Sequence, residues 1–518
     1  MSSRARPACD RELVLVVRHV VIVGGGIAGL GAAYKIRRAA DAGHEVSFTL
    51  VEKDDRLGGK IFTDVARDPD GGTYIADGGS DAFLTDKAAV HRVARLLGIL
   101  DEETGTLDET KKTFIVKDGR LIEMPDGIMM FAPTKVVPMA TTSLYSWPAK
   151  LRMALDLVLP RKTRWAVGET AQDHDESVES LVVRRMGREC LDRLAEPLIG
   201  GVNGSDPKDM SVAATYPMLL EMEQKHGSLV RGFLEQRRKV EEMKRTYPPR
   251  PGAKRRTFFS SFKLGLQFVI DRMADAAGRD RIRTGVSATA LRRDGDRWAV
   301  TLSTGEVLAA DAVIVATEAW AAEALVRKSQ PAIADLVGTI PCSSSATVIL
   351  AFDESDCPFD KRWHGILTPA VEKRSLTGVS LMSSKWPDRA PKGRVLLRGF
   401  VGGPRDQEVL LKSDDELIEL ARTQMVELIG VRPDAQPRYA RLFRWEGGMP
   451  QYTVGHLDRV DEIERLESGV PGLALAGNAY RGVGVPNALE SGERAVTKVL
   501  GDFGIALAED AVEEKRVR

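Results

Sequence analysis

Residues 19–52 read HVVIVGGGIAGLGAAYKIRRAADAGHEVSFTLVE, and this stretch decides the fold. It opens on an apolar run, HVVIV, of the kind used by a strand buried on both faces of a parallel sheet. The run ends in Gly24-Gly25-Gly26-Ile27-Ala28-Gly29, and a helical pattern follows over residues 30–40. A second apolar strand over residues 46–51 stops at Glu52. Gly24 permits the tight turn, Gly26 lets backbone approach a pyrophosphate, and Gly29 lets helix pack closely on strand. The helix N-terminus adds unpaired N–H groups and the positive end of its dipole. Glu52 stands 23 residues beyond Gly29, where an acid accepts the hydroxyl hydrogens of an adenosine ribose and disfavours a 2′-phosphate. A glycine turn alone says little. Strand, glycines, helix, strand and terminal acid in register specify a dinucleotide site.

Two further glycine stretches follow at once. Lys53 and Arg56-Leu57-Gly58-Gly59-Lys60 come first, then, after an expected short hairpin, Asp77-Gly78-Gly79-Ser80-Asp81-Ala82-Phe83. This succession resembles the FAD-containing amine oxidase superfamily, whereas an NAD dehydrogenase would continue with βαβ repeats. The resemblance implies a noncovalent FAD, one per chain, contacted by Gly59, Lys60, Gly79, Ser80, Asp81 and Ala82 as well as by Gly24 to Gly29, Glu52, Lys53 and Arg56. Near the far end, residues 473–477 (LALAG) form a small-residue strand, and Gly482-Val483-Gly484-Val485-Pro486 lead into a helix from about residue 487. Proline suits a first helical turn, where its missing N–H has no partner. A helix N-terminus aimed at the pyrimidine end of a flavin favours the negative charge of the reduced ring. Gly477, Gly482, Val483, Gly484 and Val485 are therefore candidate flavin contacts, with Trp445 beside them. Val286 stands where the superfamily brackets adenine with backbone. Residues 281–289, 298–302 and 309–317 read as return strands to the nucleotide domain.

Composition narrows the class. The chain has 518 residues, 43% hydrophobic and 6% aromatic, which fits a globular protein of two or three domains. Lys plus Arg and Asp plus Glu balance at 74 each, so no basic excess points to nucleic acid. Cys9, Cys190, Cys342 and Cys357 form no CxxC or Cys/His metal spacing, which fits a reducing cytoplasm and no metal site. Arg4, Arg6 and the apolar residues 13–17 imitate a signal peptide, but Asp10, Glu12, Arg18 and His19 interrupt the pattern. Residues before the first strand read as a loose leader. No apolar stretch reaches the roughly 18 residues of a membrane-spanning helix.

From residue 19 to about residue 500 the chain resembles the soluble bacterial branch of oxygen-dependent protoporphyrinogen and coproporphyrinogen oxidases. The likeness rests on residues 124–127 (MPDG), 155–160 (LDLVLP), 196–201 (EPLIGG), 222–229 (MEQKHGSL), 383–387 (SSKWP) and 444–452 (RWEGGMPQY). It departs at Gly79-Ser80, where the family usually has Gly-Pro, and at a longer basic insert, residues 237–256, around Tyr247-Pro248-Pro249, which reads as a solvated surface excursion. The resemblance implies an α/β architecture: a discontinuous Rossmann-like FAD-binding domain (18–86, 257–330 and 441–518), a mainly helical subdomain (87–225) and an inserted mixed-sheet substrate domain (226–256 and 331–440). It implies six-electron oxidation of a porphyrinogen by dioxygen, with release of hydrogen peroxide, on the way to haem, with coproporphyrinogen III favoured and protoporphyrinogen IX close behind. Handover to other haem-pathway enzymes belongs to the same expectation. Substrate propionates need cationic partners, and Lys87 is the candidate. No residue pair presents itself as a catalytic acid or base. Residues 127–147 are apolar but interrupted by Lys135, so they read as a channel wall or as a segment resting on a membrane surface.

An amine or amino-acid oxidase is the nearest alternative. Covalent attachment of flavin through a C-terminal cysteine is disfavoured, because no cysteine follows Cys357. A carotenoid desaturase fits the fold but not the segments around Glu196 and Glu223. A non-enzymatic prenyl- or lipid-binding protein on the same scaffold would lose the flavin contacts.

Overall fold

The computed structural model describes residues 17–107, 112–201, 204–246, 257–360 and 362–507. Strand β1 (Arg18–Val23), helix α1 (Ile27–Asp41) and strand β2 (Val46–Val51) form the expected unit. Much later segments, β3 (Ile282–Arg283), β4 (Ala312–Val315) and β5 (Leu473–Leu475), complete a five-stranded sheet in the order β3-β2-β1-β4-β5. Every pairing in it is parallel. Val20, Val21 and Ile22 are fully buried, which is why β1 is apolar without alternation. Helix α2 (Val485–Gly501) packs on α1. A Cβ on Gly29 would overlap the carbonyl oxygen of Gly24, so the close fit of α1 on its own turn depends on a missing side chain.

The return strands divide. Residues 282–283 and 312–315 join the parallel sheet, but Arg297–Leu302 pairs instead with Ala288–Asp294 and Val307–Ala310 in a separate antiparallel sheet. Tight turns on both sides of Arg297–Leu302 make its local neighbours the cheaper partners. The hairpin expected before Asp77 is present, Thr63–Arg67 paired with Thr73–Asp77.

A seven-stranded sheet stands beside the nucleotide domain. Its order is Tyr439–Pro450, Cys342–Asp353, Arg394–Gly402, Leu376–Leu381, Trp363–Leu367, Lys112–Lys117, Arg120–Glu123. All neighbours are antiparallel except Trp363–Leu367 and Lys112–Lys117. The mixed sheet thus draws on more chain than 331–440. Residues 112–123 come from the segment the sequence assigns to helices, and residues 441–450 from the one it assigns to the nucleotide domain. Conversely, Leu229, Val230 and Phe233 of helix Leu229–Thr246 pack with Leu181, Leu194 and Leu219, so this helix belongs to the helical core and not to the sheet. Residues 237–246 of the basic insert continue that helix with mostly exposed side chains, and Tyr247-Pro248-Pro249 lie outside the described residues.

The helical core is tied by buried charge. Arg185 is fully buried and donates from Nε to Asp156 at 2.5 Å and from Nη2 to the Gly227 carbonyl at 2.8 Å. Glu223 accepts both terminal nitrogens of Arg184, at 2.5 and 2.8 Å. Residues 155–160 and 222–229 are therefore one joint, held because a lone buried charge would be far costlier than a paired one. Residues 196–200 lie in Leu191–Gly200, a helix widened to i→i+5 bonding with Pro197 inside. Among the described residues no helix is long and apolar enough to cross a membrane.

Candidate functional site

The carboxyl ends of the parallel strands converge on one edge of the sheet. Gly24 ends β1 with φ +108°, a conformation that L side chains rarely adopt, directly against Ala316 beyond β4. Glu52 ends β2 and is buried. Its Oε2 accepts the Gly25 N–H at 2.5 Å and its Oε1 the Asp54 N–H at 2.9 Å. Burial raises the Glu52 pKa above the ordinary carboxylate range, although both N–H groups pull against it. Val286 donates its N–H to the Glu52 carbonyl at 2.9 Å and so stands beside the acid. Gly26 is the N-cap of α1 and has no side-chain cap, while a Cβ built there meets nothing within 4 Å. Ile27, Ala28 and Gly29 form the buried first turn behind it.

The next loop is braced from within. Arg56 donates to the carbonyls of Gly59 at 2.5 Å, Ile61 at 3.2 Å and Leu57 at 3.3 Å, and lies over the Phe62 ring. Lys53 points elsewhere, its Nζ 5.6 Å from the centre of the Trp320 ring. Gly59 backs onto Gly26, where its Cβ would stand 3.5 Å from the Gly26 Cα. Lys60 turns inward and donates to the Gly448 carbonyl at 2.9 Å and to Asn478 Oδ1 at 3.2 Å. Burial lowers its pKa, opposed by Glu318 at 3.9 Å.

The third glycine stretch closes on the same lysine. A Cβ on Gly79 would overlap the Lys60 carbonyl oxygen and approach Trp445 Cζ2 to 3.2 Å. Trp445 Nε1 donates to the Gly78 carbonyl at 3.1 Å, and the Ser80 N–H reaches the Lys60 carbonyl at 3.3 Å. Asp81 turns toward the seven-stranded sheet, meeting Lys385 at 2.8 Å, Trp386 Nε1 at 3.1 Å and Arg398 at 3.2 Å. Burial alone would raise its pKa, but Lys385 and Arg398 outweigh burial and hold it below the usual range. Ala82 packs against the core that contains Trp386.

The C-terminal loop completes the edge. Gly477 follows β5 and its N–H donates to Ser491 Oγ at 3.0 Å. Gly482 has φ +104°, with Asn487 directly beneath it. Val483 is half-buried, Gly484 is the N-cap of α2 without a side-chain cap, and Val485 and Pro486 are buried in its first turn. Lys87 lies apart, exposed at the N-cap of helix Ala88–Leu96, and no described contact joins it to this cluster. Two residues absent from the sequence-derived site are central to it, Tyr452 and Asn478. The Tyr452 hydroxyl donates to the Asn478 carbonyl at 2.7 Å and accepts the Gly482 N–H at 2.8 Å. Tyr452 ends the quoted segment 444–452, and an amphipathic ring there was the available signal.

Two helix N-termini without side-chain caps, an open cradle at Gly26 and a buried acid on the neighbouring strand suit an elongated dinucleotide with an anionic centre. Among the described residues no His, Cys, Asp and Glu group could hold a metal ion.

Comparison with known proteins agrees with this chemistry. The family described as flavin containing amine oxidoreductase matches residues 27–500. A coproporphyrinogen III oxidase of Bacillus subtilis (strain 168) is 32% identical over 490 residues, spanning 93% of this chain and 98% of its own. One from Propionibacterium freudenreichii subsp. freudenreichii is 31% identical over 508 residues, spanning 93% of this chain and 90% of its own. The crystal structure of an Exiguobacterium sp. 255-15 protein provisionally named protoporphyrinogen oxidase superposes with a TM-score of 0.79 at 27% identity, covering 95% of this chain and 100% of that one.

Proposed function

We propose, from the premise that this chain belongs to the flavin containing amine oxidoreductase family and stands among its coproporphyrinogen III oxidases, that it oxidises coproporphyrinogen III to coproporphyrin III with FAD and dioxygen. The observation that carries the reading is the shared edge on which Gly26, Glu52 and the uncapped N-terminus of α2 converge. In this assignment Glu52 takes the ribose hydroxyls, the first turn of α1 takes the pyrophosphate, and Val286 lies against adenine. Arg56 keeps the loop at Gly59 in shape through its carbonyl contacts. Lys60, Gly79 and Trp445 form the wall at the flavin end, and the first turn of α2 favours negative charge on the reduced ring. In this reading one FAD is held per chain without a covalent bond; no cysteine follows Cys357 to attach it through the C-terminal segment.

FAD held by these residues would supply two-electron oxidation of the bridging carbons, three times per porphyrin, with dioxygen as final acceptor and hydrogen peroxide as its product. The protein's share is to hold one carbon at a time in position and to exclude water from it. No residue beside the cluster is assigned as a catalytic base. The assay is the ratio of dioxygen consumed to porphyrin formed: three with equimolar peroxide supports the reading, and no porphyrin from either porphyrinogen removes it.

A peripheral membrane contact is the second reading, favoured by one specific pattern. Within residues 127–147, Phe131, Leu144 and Tyr145 are buried in the helical core, whereas Val136, Val137 and Trp147 are 83%, 72% and 65% exposed. Lys150 stands over the Trp147 ring. Its Nζ donates to the Ala140 and Thr142 carbonyls, so what suits the interface of a lipid surface is the exposed apolar ledge alone.

A further inference from the structure

We infer that Tyr452 is a positioning residue for the oxidation: its hydroxyl holds the glycine loop that sets the N-terminus of α2. The inference rests on the assignment of that N-terminus to the flavin.

Tyr452 is 3% exposed and follows the strand Tyr439–Pro450. Its single hydroxyl uses both of its capacities on one loop, donating to the Asn478 carbonyl at 2.7 Å and accepting the Gly482 N–H at 2.8 Å. The loop is thereby closed like a clasp. Asn478 also receives Lys60 Nζ at 3.2 Å, so the clasp is continuous with that half-buried lysine. From below, Asn487 fills the space under Gly482, where a Cβ would stand 2.6 Å from its Cγ. Tyr452 on one side and Asn487 on the other leave the loop little freedom.

The ring of Tyr452 is itself fixed. It stacks on His456 with centroids 3.9 Å apart and planes 14° from parallel. His456 is fully buried, and its Nε2 lies 2.8 Å from the Tyr480 carbonyl, which requires the proton on Nε2. Among the described residues its Nδ1 has no hydrogen-bond partner, as the neutral ring allows. Burial lowers the His456 pKa to about 4, so the platform stays neutral at physiological pH. Two residues past Gly482 stands Gly484, the N-cap of α2, and among the described residues no side chain caps the first turn. Loss of the clasp shifts donors whose value depends on their being held in place before charge develops.

The test is Tyr452→Phe as holoenzyme, which keeps the stacked ring and removes only the hydroxyl. We expect flavin content equal to wild type, a flavin midpoint potential shifted to more negative values, and a reduction rate by coproporphyrinogen III about tenfold lower at unchanged KM. Unchanged potential together with unchanged reduction rate overturns the inference. The potential is read by dye equilibration without substrate, so it decides the role of Tyr452 even if no porphyrinogen reduces the wild type, a result that would sink the proposed activity alone. If Tyr452→Phe fails to retain flavin, His456→Ala removes the platform under the Tyr452 ring and so frees the hydroxyl from its fixed place. A potential identical to wild type in that variant overturns the inference as well.

Discussion

The Glu52 carboxylate accepts the backbone N–H of Gly25 at 2.5 Å, so the acid at the end of one strand and the glycine turn at the end of its neighbour are a single unit. Glu52→Ala removes the carboxylate proposed to accept from the ribose and leaves the Gly25 and Asp54 N–H groups without their acceptor. FAD affinity, titrated calorimetrically into the apoprotein, should fall by about 1–3 kcal/mol. Unchanged affinity would show that Glu52 does not meet the ribose.

The glycines separate into two kinds. A Cβ at Gly26 meets open space and one at Gly484 nothing nearer than Asn487 Oδ1 at 3.2 Å, whereas one at Gly29 presses on the Gly24 carbonyl. Gly26→Ala and Gly484→Val should therefore weaken FAD binding while leaving the melting temperature of the apoprotein near wild type. Gly29→Ala should lower that melting temperature, because overpacking against fixed backbone costs about 1–3 kcal/mol. Thermal melts of the three apoproteins beside wild type decide the matter; equal losses in all three would contradict the division.

Much of this was legible in local sequence. The run 19–52 specifies strand, turn, helix and acid because each demand is met within a few residues. Long-range pairing is not legible, since nothing local in Lys112–Lys117 says that it pairs with strand Trp363–Leu367. Arg297–Leu302 misled for the opposite reason: its apolar pattern suits either sheet, and nearby turns chose between them. The role of Tyr452 and Asn478 is not legible in sequence, because it lies in one hydroxyl spanning two loop ends, which spacing does not encode. The tether of Asp81 to Lys385 and Arg398 was equally hidden.

Glu467 supplies a pH dependence. Burial raises its carboxyl to about 7 from the ordinary 4.5, against the opposing Leu475 N–H and Lys498. A carboxyl whose folded pKa is raised contributes stability below the unfolded pKa and loses it as pH climbs through the folded one. Wild-type stability should thus decline across the window from about 4.5 to about 7 on this residue's account. Glu467→Gln keeps an acceptor for the Leu475 N–H and should flatten that part of the profile in urea unfolding. A profile parallel to wild type would discount the burial of this carboxyl.

The ledge of Val136, Val137 and Trp147 predicts sedimentation with lipid vesicles. Replacing all three by serine should abolish it without changing turnover in solution, since their side chains are exposed. Sedimentation that survives the triple replacement would remove the membrane reading.

The most direct measurement is anaerobic stopped-flow mixing of the purified flavoprotein with coproporphyrinogen III, followed in the visible flavin band. A porphyrinogen oxidase should show bleaching in a single turnover, recovery of the band on admitting dioxygen, and porphyrin appearing only as further cycles complete. A flavin that stays oxidised in the presence of both coproporphyrinogen III and protoporphyrinogen IX would contradict the assigned activity.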